Sequence, residues 1–238
     1  MNRTRLDQML VQRGMAATRS QAENYIKLGY VLVDGKSVTK SGQPIGNNSQ
    51  IKLLLKEQYV SRAALKLASV NHKFKLNFKD KTVLDVGSST GGFTDYALRH
   101  GAKKVIAVDV GANQMHPSLR ENSKVELHEH TDIRNFELKT VLDIVLIDTS
   151  FISLREVLPH IAGMSNKKTQ VIALLKPQFE AGKEALNKGV VKNDRLRRQV
   201  LRNFELWSKK KFVIRDKADS SIAGAHGNVE RFYLLVRQ

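Results

Sequence analysis

The chain has 238 residues, 41% of them apolar, and carries 40 Lys and Arg against 23 Asp and Glu, a formal net charge of +17. The apolar share supports a packed core and excludes long disorder, and the absence of cysteine excludes disulfides, thiolate metal sites and iron–sulfur clusters. A surplus of this size attracts polyanions, with nucleic acid the commonest and a ribosome-associated or membrane-surface protein the alternative.

No run of about 18 apolar residues is present to span a bilayer. The basic start, MNRTRLDQML, lacks an apolar stretch suited to secretion, so a cytoplasmic protein is expected. Residues 1–60 hold 9 basic and 4 acidic side chains, and residues 183–217 hold 12 and 4, so the surplus is spread along the chain.

In chain order, Leu6, Met9, Leu10 and Val11 recur at helical spacing and Gly14 ends the pattern. A second helix is predicted from Thr18 or Ser20, with Ala22, Ile26 and Leu28 inward, closing at Gly29. A strand from Tyr30 then runs into Asp34-Gly35, a strong hairpin signal, and a further strand is predicted from Gln50 to Leu55 before a charged joint at Lys56–Gln58. RLDQMLVQRG followed by ATRSQAENYIKLGYVLVDGKSV resembles the S-four RNA-binding domain. The resemblance implies that Arg3, Arg5, Arg13, Arg19 and Lys27 face structured RNA; a helical hairpin for protein contacts is the other reading.

From Lys81 onward, short apolar strands alternate with helical stretches: 82–86, 105–109, 125–128, 144–148, 171–176, 211–214 and 232–236. The alternation predicts a parallel sheet wrapped by helices. A long polar loop is expected from Asp216 to Glu230, followed by a last, antiparallel strand inserted into the sheet. The run Asp85, Val86, Gly87, Ser88, Ser89, Thr90, Gly91, Gly92, Phe93 leads from a strand through small residues into a helix, where backbone can approach a ligand closely. Its spacing is not G-x-G-x-x-G. The next strand ends in Asp109, suited to ribose hydroxyls, and Asp132 follows the third, suited to an adenine amino group. These describe an adenosine without a pyrophosphate, which favours S-adenosylmethionine over a nicotinamide cofactor.

The strand ending in Asp148 continues as Thr149-Ser150-Phe151. It lacks the Asp/Asn-Pro-Pro-aromatic clamp of amine methylation, and no cysteine exists for pyrimidine carbon-five chemistry, which leaves an oxygen or a ring nitrogen as acceptor. A hydroxyl acceptor calls for a lysine near the developing alkoxide and carboxylates to orient it. Asp148 and Lys176 end neighbouring strands, Glu230 opens the antiparallel one at the same edge, and Lys66 lies on the entering helix.

YVSRAALKL, DVGSSTGGFTD, AVDVG, LIDTSFISL, LLKPQFE, KGVV and GNVERF resemble, in this order, the TlyA family, in which an S-four domain precedes an FtsJ-like methyltransferase domain. The resemblance covers nearly the whole chain. It implies 2'-O-methylation of cytidine in ribosomal RNA, with the lysine–aspartate–lysine–glutamate tetrad at Lys66, Asp148, Lys176 and Glu230. Ala63-Ala64, Tyr96 and Ser220-Ser221-Ile222 depart from the family pattern, which often has two glycines, a cysteine and Ser-Pro-Ile at these places.

The expected architecture is α/β: a Rossmann-like S-adenosylmethionine-dependent methyltransferase domain (62–238) behind a small α+β S-four RNA-binding domain (1–56) and a linker (57–61). Arg62, Arg195, Arg197 and Arg198 are further candidates for RNA contact. Ribosomal RNA or a ribosomal subunit is the expected partner, and neither a metal nor stable membrane association is expected. The rival readings are a non-catalytic RNA-binding assembly factor and a membrane-active hemolysin.

Overall fold

The computed structural model describes residues 3–16, 18–27, 29–54, 59–181, 190–191, 193–224 and 227–238. Leu28, Leu55, the joint at 56–58, Lys183 and the first half of KGVV lie outside the described residues, as do the side chains of Ser20 and Lys27. The chain forms two compact units, Met1–Arg62 and Ala63–Gln238.

In the first unit, β1 (Arg3–Arg5) leads into α1 (Leu6–Gln12) and α2 (Arg19–Lys27), followed by β2 (Val31–Val33), β3 (Lys36–Ser37), β4 (Pro44–Gly46) and β5 (Ile51–Leu53). Leu6, Met9 and Leu10 of α1 and Ala22 and Ile26 of α2 are buried against Val31, Val33 and Ile45, so the helical spacing read from sequence marks the true core face. Asp34 and Gly35 both have positive φ (50° and 80°), the geometry of a two-residue hairpin turn, and β2 pairs antiparallel with β3 across it. The expected strand pair proves to be a three-stranded sheet, β3-β2-β5, with a separate β1-β4 ladder.

α3 (Arg62–Phe74) starts at the last residue of the first unit and leads into the second, which continues as β6 (Thr82–Val86), α4 (Gly92–Arg99), β7 (Lys104–Val108), α5 (Pro117–Arg120) and β8 (Val125–His128). A single turn of 3-10 helix, Ile133–Asn135, precedes β9 (Ile144–Ile147), α6 (Leu154–Met164), β10 (Gln170–Leu175), α7 (Pro177–Glu180), α8 (Asp194–Ser208), β11 (Phe212–Asp219) and β12 (Arg231–Arg237). The seven strands are ordered β11-β12-β10-β9-β6-β7-β8. β6 to β10 are parallel, and β12 runs antiparallel between β10 and β11. The inserted last strand is thus as expected.

Ile144–Ile147 and Val171–Leu175 are buried along their whole length, because helices cover both faces of the sheet. β6 and β9 are neighbours from which the chain proceeds in opposite directions, and in open sheets ligands bind beyond the strand ends at such a point. One expectation is corrected. The loop does not begin at Asp216, because β11 continues to Asp219, which pairs with Arg231. This edge strand alternates exposed and half-buried residues, so its polar half has strand geometry with a loop-like composition.

Candidate active site

The turn after β6 is shaped by two close approaches. Gly87 has φ +80°, and a Cβ there would stand 2.9 Å from the Asp148 carbonyl oxygen, so only glycine lets this turn lie against the end of β9. Gly91, at φ +89°, caps α4, where a Cβ would run into Leu119. Asp85 is 1% exposed and accepts a hydrogen bond from Thr94 Oγ1 at 2.6 Å, which ties β6 to α4. Burial pushes its carboxyl up to about 7, against the pull of the Thr94 hydroxyl and with help from the Asp148 charge.

Beyond β6, β7 and β9 opens a cleft of about 650 Å³, within the range of small-molecule sites. Its walls include Gly87, Ser89, Asp109, Asp132, Asp148 and Phe151. Asp109 Oδ2 accepts from Ser89 N–H at 2.8 Å and Oδ1 from Gly111 N–H at 2.7 Å, so one carboxylate pins both loops. Asp132 caps the 3-10 turn through Arg134 N–H and is held by the Arg134 guanidinium at 2.6 Å, which keeps its carboxyl below the usual range.

A smaller recess of about 150 Å³ shares Gly87, Ser89, Asp148 and Ser150 with the cleft and adds Asp85, Ser88, Thr90, Phe93 and Lys176. Gly91 and Gly92 form the start of α4 and line neither space. The Ser88 hydroxyl is buried in the recess wall without a hydrogen-bond partner among the described residues.

Lys176, one residue past β10, places its ammonium 2.8 Å from Asp148 Oδ1 and donates to Ser150 Oγ at 2.8 Å. Lys66, on α3, donates to Glu230 Oε2 at 2.7 Å. The side chains in these two pairs are between 2% and 13% exposed. Leu175 pairs with Arg231 at the end of the β10–β12 ladder, so Lys176 and Glu230 each lie one residue beyond its last pair. Asp148, Lys176 and Glu230 therefore stand at one end of the sheet, where Glu230 also holds Lys66. Gly224 leans on the Glu230 carboxylate so closely that a Cβ would collide with it.

Three residues escaped individual notice in the sequence. Ser150 holds Lys176. Phe151 is 91% exposed with φ +66°, an unfavourable backbone for a bulky residue, and its ring lies 5.2 Å from that of Phe179. Glu180 accepts from Ser153 Oγ and Leu154 N–H at 2.6 and 2.7 Å, anchoring the loop between Asp148 and α6, and burial raises its carboxyl. Of these, LIDTSFISL and LLKPQFE carried the only signal, as whole motifs.

The basic candidates divide. Arg5 and Arg19 both contact buried Asp7, at 2.7 and 3.1 Å, and Arg5 leads the lowering of its carboxyl to about 2. Arg13 donates to the Ser49 and Asn47 carbonyls, and Arg3 is exposed. Arg62 is half-buried at the start of α3. Arg197 departs from expectation: its guanidinium donates to Asp219 at 2.7 Å and to the Val229 carbonyl at 3.1 Å, an internal brace. Arg195 and Arg198 are exposed. Tyr96 is buried in an aromatic cluster, stacked 4.0 Å from His100 and edge-on to Phe78.

Residues 59–237 match the family model described as FtsJ-like methyltransferase, and residues 4–51 match the S4 domain. With the doubly wound sheet and its strand-end cleft, this defines a methyltransferase carrying an S4 module. The chain is 43% identical to the 23S rRNA (cytidine-2'-O)-methyltransferase TlyA of Campylobacter jejuni, over 95% of this chain and 97% of that one. It is 37% identical to the 16S/23S rRNA (cytidine-2'-O)-methyltransferase TlyA of Mycobacterium tuberculosis, over 99% and 91% respectively. It also superposes on a structure described as a candidate hemolysin from Streptococcus thermophilus, with a TM-score of 0.76 and 36% identity, over 100% of this chain and 90% of that one. The chain belongs to the TlyA family, in which an S4 domain precedes an FtsJ-like methyltransferase domain. No described helix is long and apolar enough to cross a membrane.

Proposed function

We propose that this chain binds S-adenosylmethionine in the strand-end cleft and methylates the 2'-oxygen of a cytidine in ribosomal RNA. The observation that carries this reading is Lys176, held by Asp148 and Ser150 where the cleft meets its inner recess, beside the Lys66–Glu230 pair. The relatives named above as cytidine-2'-O-methyltransferases support the choice of acceptor.

The residues present fit the cofactor. Each oxygen of Asp109 holds one N–H and retains a lone pair, enough for two ribose hydroxyls. The buried Ser88 hydroxyl has no partner among the described residues, as expected of a group that a polar ligand satisfies. In this assignment Gly87, Ser89, Asp109 and Asp132 hold the adenosine, while Asp85, Ser88, Thr90 and Phe93 surround the inner end. When bound, S-adenosylmethionine supplies an activated methyl group on a sulfonium.

The chain's own contribution is position and charge. Lys176 donates to Ser150 and stands in ion-pair contact with Asp148, so N–H donors remain for the acceptor oxygen. A cation there stabilises the hydroxyl oxygen as its proton passes to a neighbouring carboxylate, Asp148 or Glu230, most strongly where water is excluded. Asp148 keeps the ammonium oriented, and Glu230, just before the adjoining β12, holds Lys66 of α3. Phe151, exposed beside the cleft, offers its face to the unstacked target base.

The test is incubation of naked rRNA and purified subunits with labelled S-adenosylmethionine, followed by nucleoside analysis. The expected product is 2'-O-methylcytidine; a base-methylated nucleoside refutes the reading. Lys176→Ala should lower the transfer rate at least about 10²–10³-fold while leaving cofactor affinity nearly intact. A fully active variant removes Lys176 from the chemistry.

A further inference from the structure

We infer that the outer face of α8 is a second RNA-docking surface: a rail of arginines that grips the phosphate backbone beside the target nucleotide. The inference rests on the RNA substrate proposed above. Arg195, Arg198 and Arg202 follow one another at spacings of three and four, which puts them in one stripe along the helix. All three are exposed, and no guanidinium among them has a hydrogen-bond or ion-pair partner among the described residues. The stripe is about 10 Å long, and exposed Lys209, Lys210 and Lys211 follow at its far end.

Neighbouring cations are treated differently by the fold. Arg197 is neutralised by Asp219, and Lys217 by Glu205 at 2.8 Å. Among the described residues the three outward arginines have no such compensation, and like charges at these spacings cost a helix a few tenths of a kcal/mol per pair. An array that works against its own helix is accounted for by an external polyanion.

Two further observations identify that polyanion. The opposite face of α8, with Val200, Leu201 and Phe204, is buried in the domain core, and Leu206 is the one large aliphatic of the helix counted among the exposed hydrophobics. A membrane-surface helix needs a free apolar face, and α8 has none. The rail also begins at the site: Arg197 fastens the first turns of α8 to the Val229 carbonyl, next to Glu230. Structured RNA delivering a ribose to Lys176 would pass along this face.

The test compares the full chain with its Arg195→Gln/Arg198→Gln/Arg202→Gln variant, binding 16S and 23S rRNA over a salt series. Loss of three phosphate contacts should flatten the slope of log affinity against log salt by about 2–3. S-adenosylmethionine affinity should be unchanged, and the melting temperature unchanged or raised, which a merely structural stripe would not allow. The corresponding triple lysine variant should keep the parent's slope. An unchanged slope in the glutamine variant overturns the inference, and so does loss of slope in the lysine variant. Loss of binding to phosphatidylserine vesicles with RNA binding intact also overturns it and makes the stripe a lipid contact. If the parent binds rRNA through this stripe but transfers no methyl group, the catalytic reading fails and the docking surface stands. If it methylates and the slope is unmoved, the docking surface alone fails.

Discussion

Replacing Asp85 by asparagine is expected to stabilise the catalytic unit at neutral and alkaline pH and to matter little near pH 4. Burial holds this carboxyl at about 7 against an ordinary value of 3.8. Between those values the folded state keeps a proton that the unfolded state has released, so stability falls as pH rises from about 4 to about 7, and above that the cost is complete. A gap of about three pH units, at about 1.4 kcal/mol each, comes to roughly 4 kcal/mol. Asparagine has the shape of the protonated acid and keeps an acceptor for the Thr94 hydroxyl, so the cost disappears without opening a cavity. Trp207 is the sole tryptophan and lies on α8, so its fluorescence during urea unfolding reports this unit. The stability difference between variant and parent should widen by roughly 4 kcal/mol from about pH 4 to pH 8. A difference that stays constant with pH refutes the argument, because it would mean that Asp85 is already ionised in the fold.

Gly224→Ala should lower the methylation rate at least about tenfold while shifting stability by less than about 1 kcal/mol, because the new methyl displaces the Glu230 carboxylate from Lys66. Initial rates and a Trp207 melt measure the two effects, and full activity would mean that the carboxylate can move without consequence. Phe151→Gly should relieve the positive φ, with a gain of up to about 1 kcal/mol. The same change should weaken productive RNA binding by the roughly 1–3 kcal/mol typical of one stacked base; an unchanged KM for RNA would remove Phe151 from the substrate site.

The parallel strands were legible because burial on both faces makes them short apolar runs, and Ile144–Ile147 or Val171–Leu175 could hardly be anything else. The strand-end placement of three site candidates was legible for a related reason: Asp148 and Lys176 immediately follow such runs, and Glu230 immediately precedes one. β11 was read short because an edge strand with one wet face, through Arg215, Lys217 and Asp219, has the composition of a loop. β1, β3 and β4 span only two or three residues, too few for any periodicity to show. Arg197 was grouped with Arg195 and Arg198 by proximity in sequence, yet about 100° per residue turns it to the inner side of α8 and brings Arg202 into the outer stripe. The backbone angle of Phe151 has no counterpart in the sequence, since it is imposed by the loop that Glu180 anchors.

The position of β12 has a consequence for how the domain is built. It lies between β10 and β11, both made earlier, and Val171 must wait for Leu235 before its outer edge is closed. Until β12 has been synthesised, the edges of β10 and β11 that it covers both stay open, and Glu230 has no strand beside it. A ribosome that stalls before β12 is made would release a protein prone to stick to its neighbours.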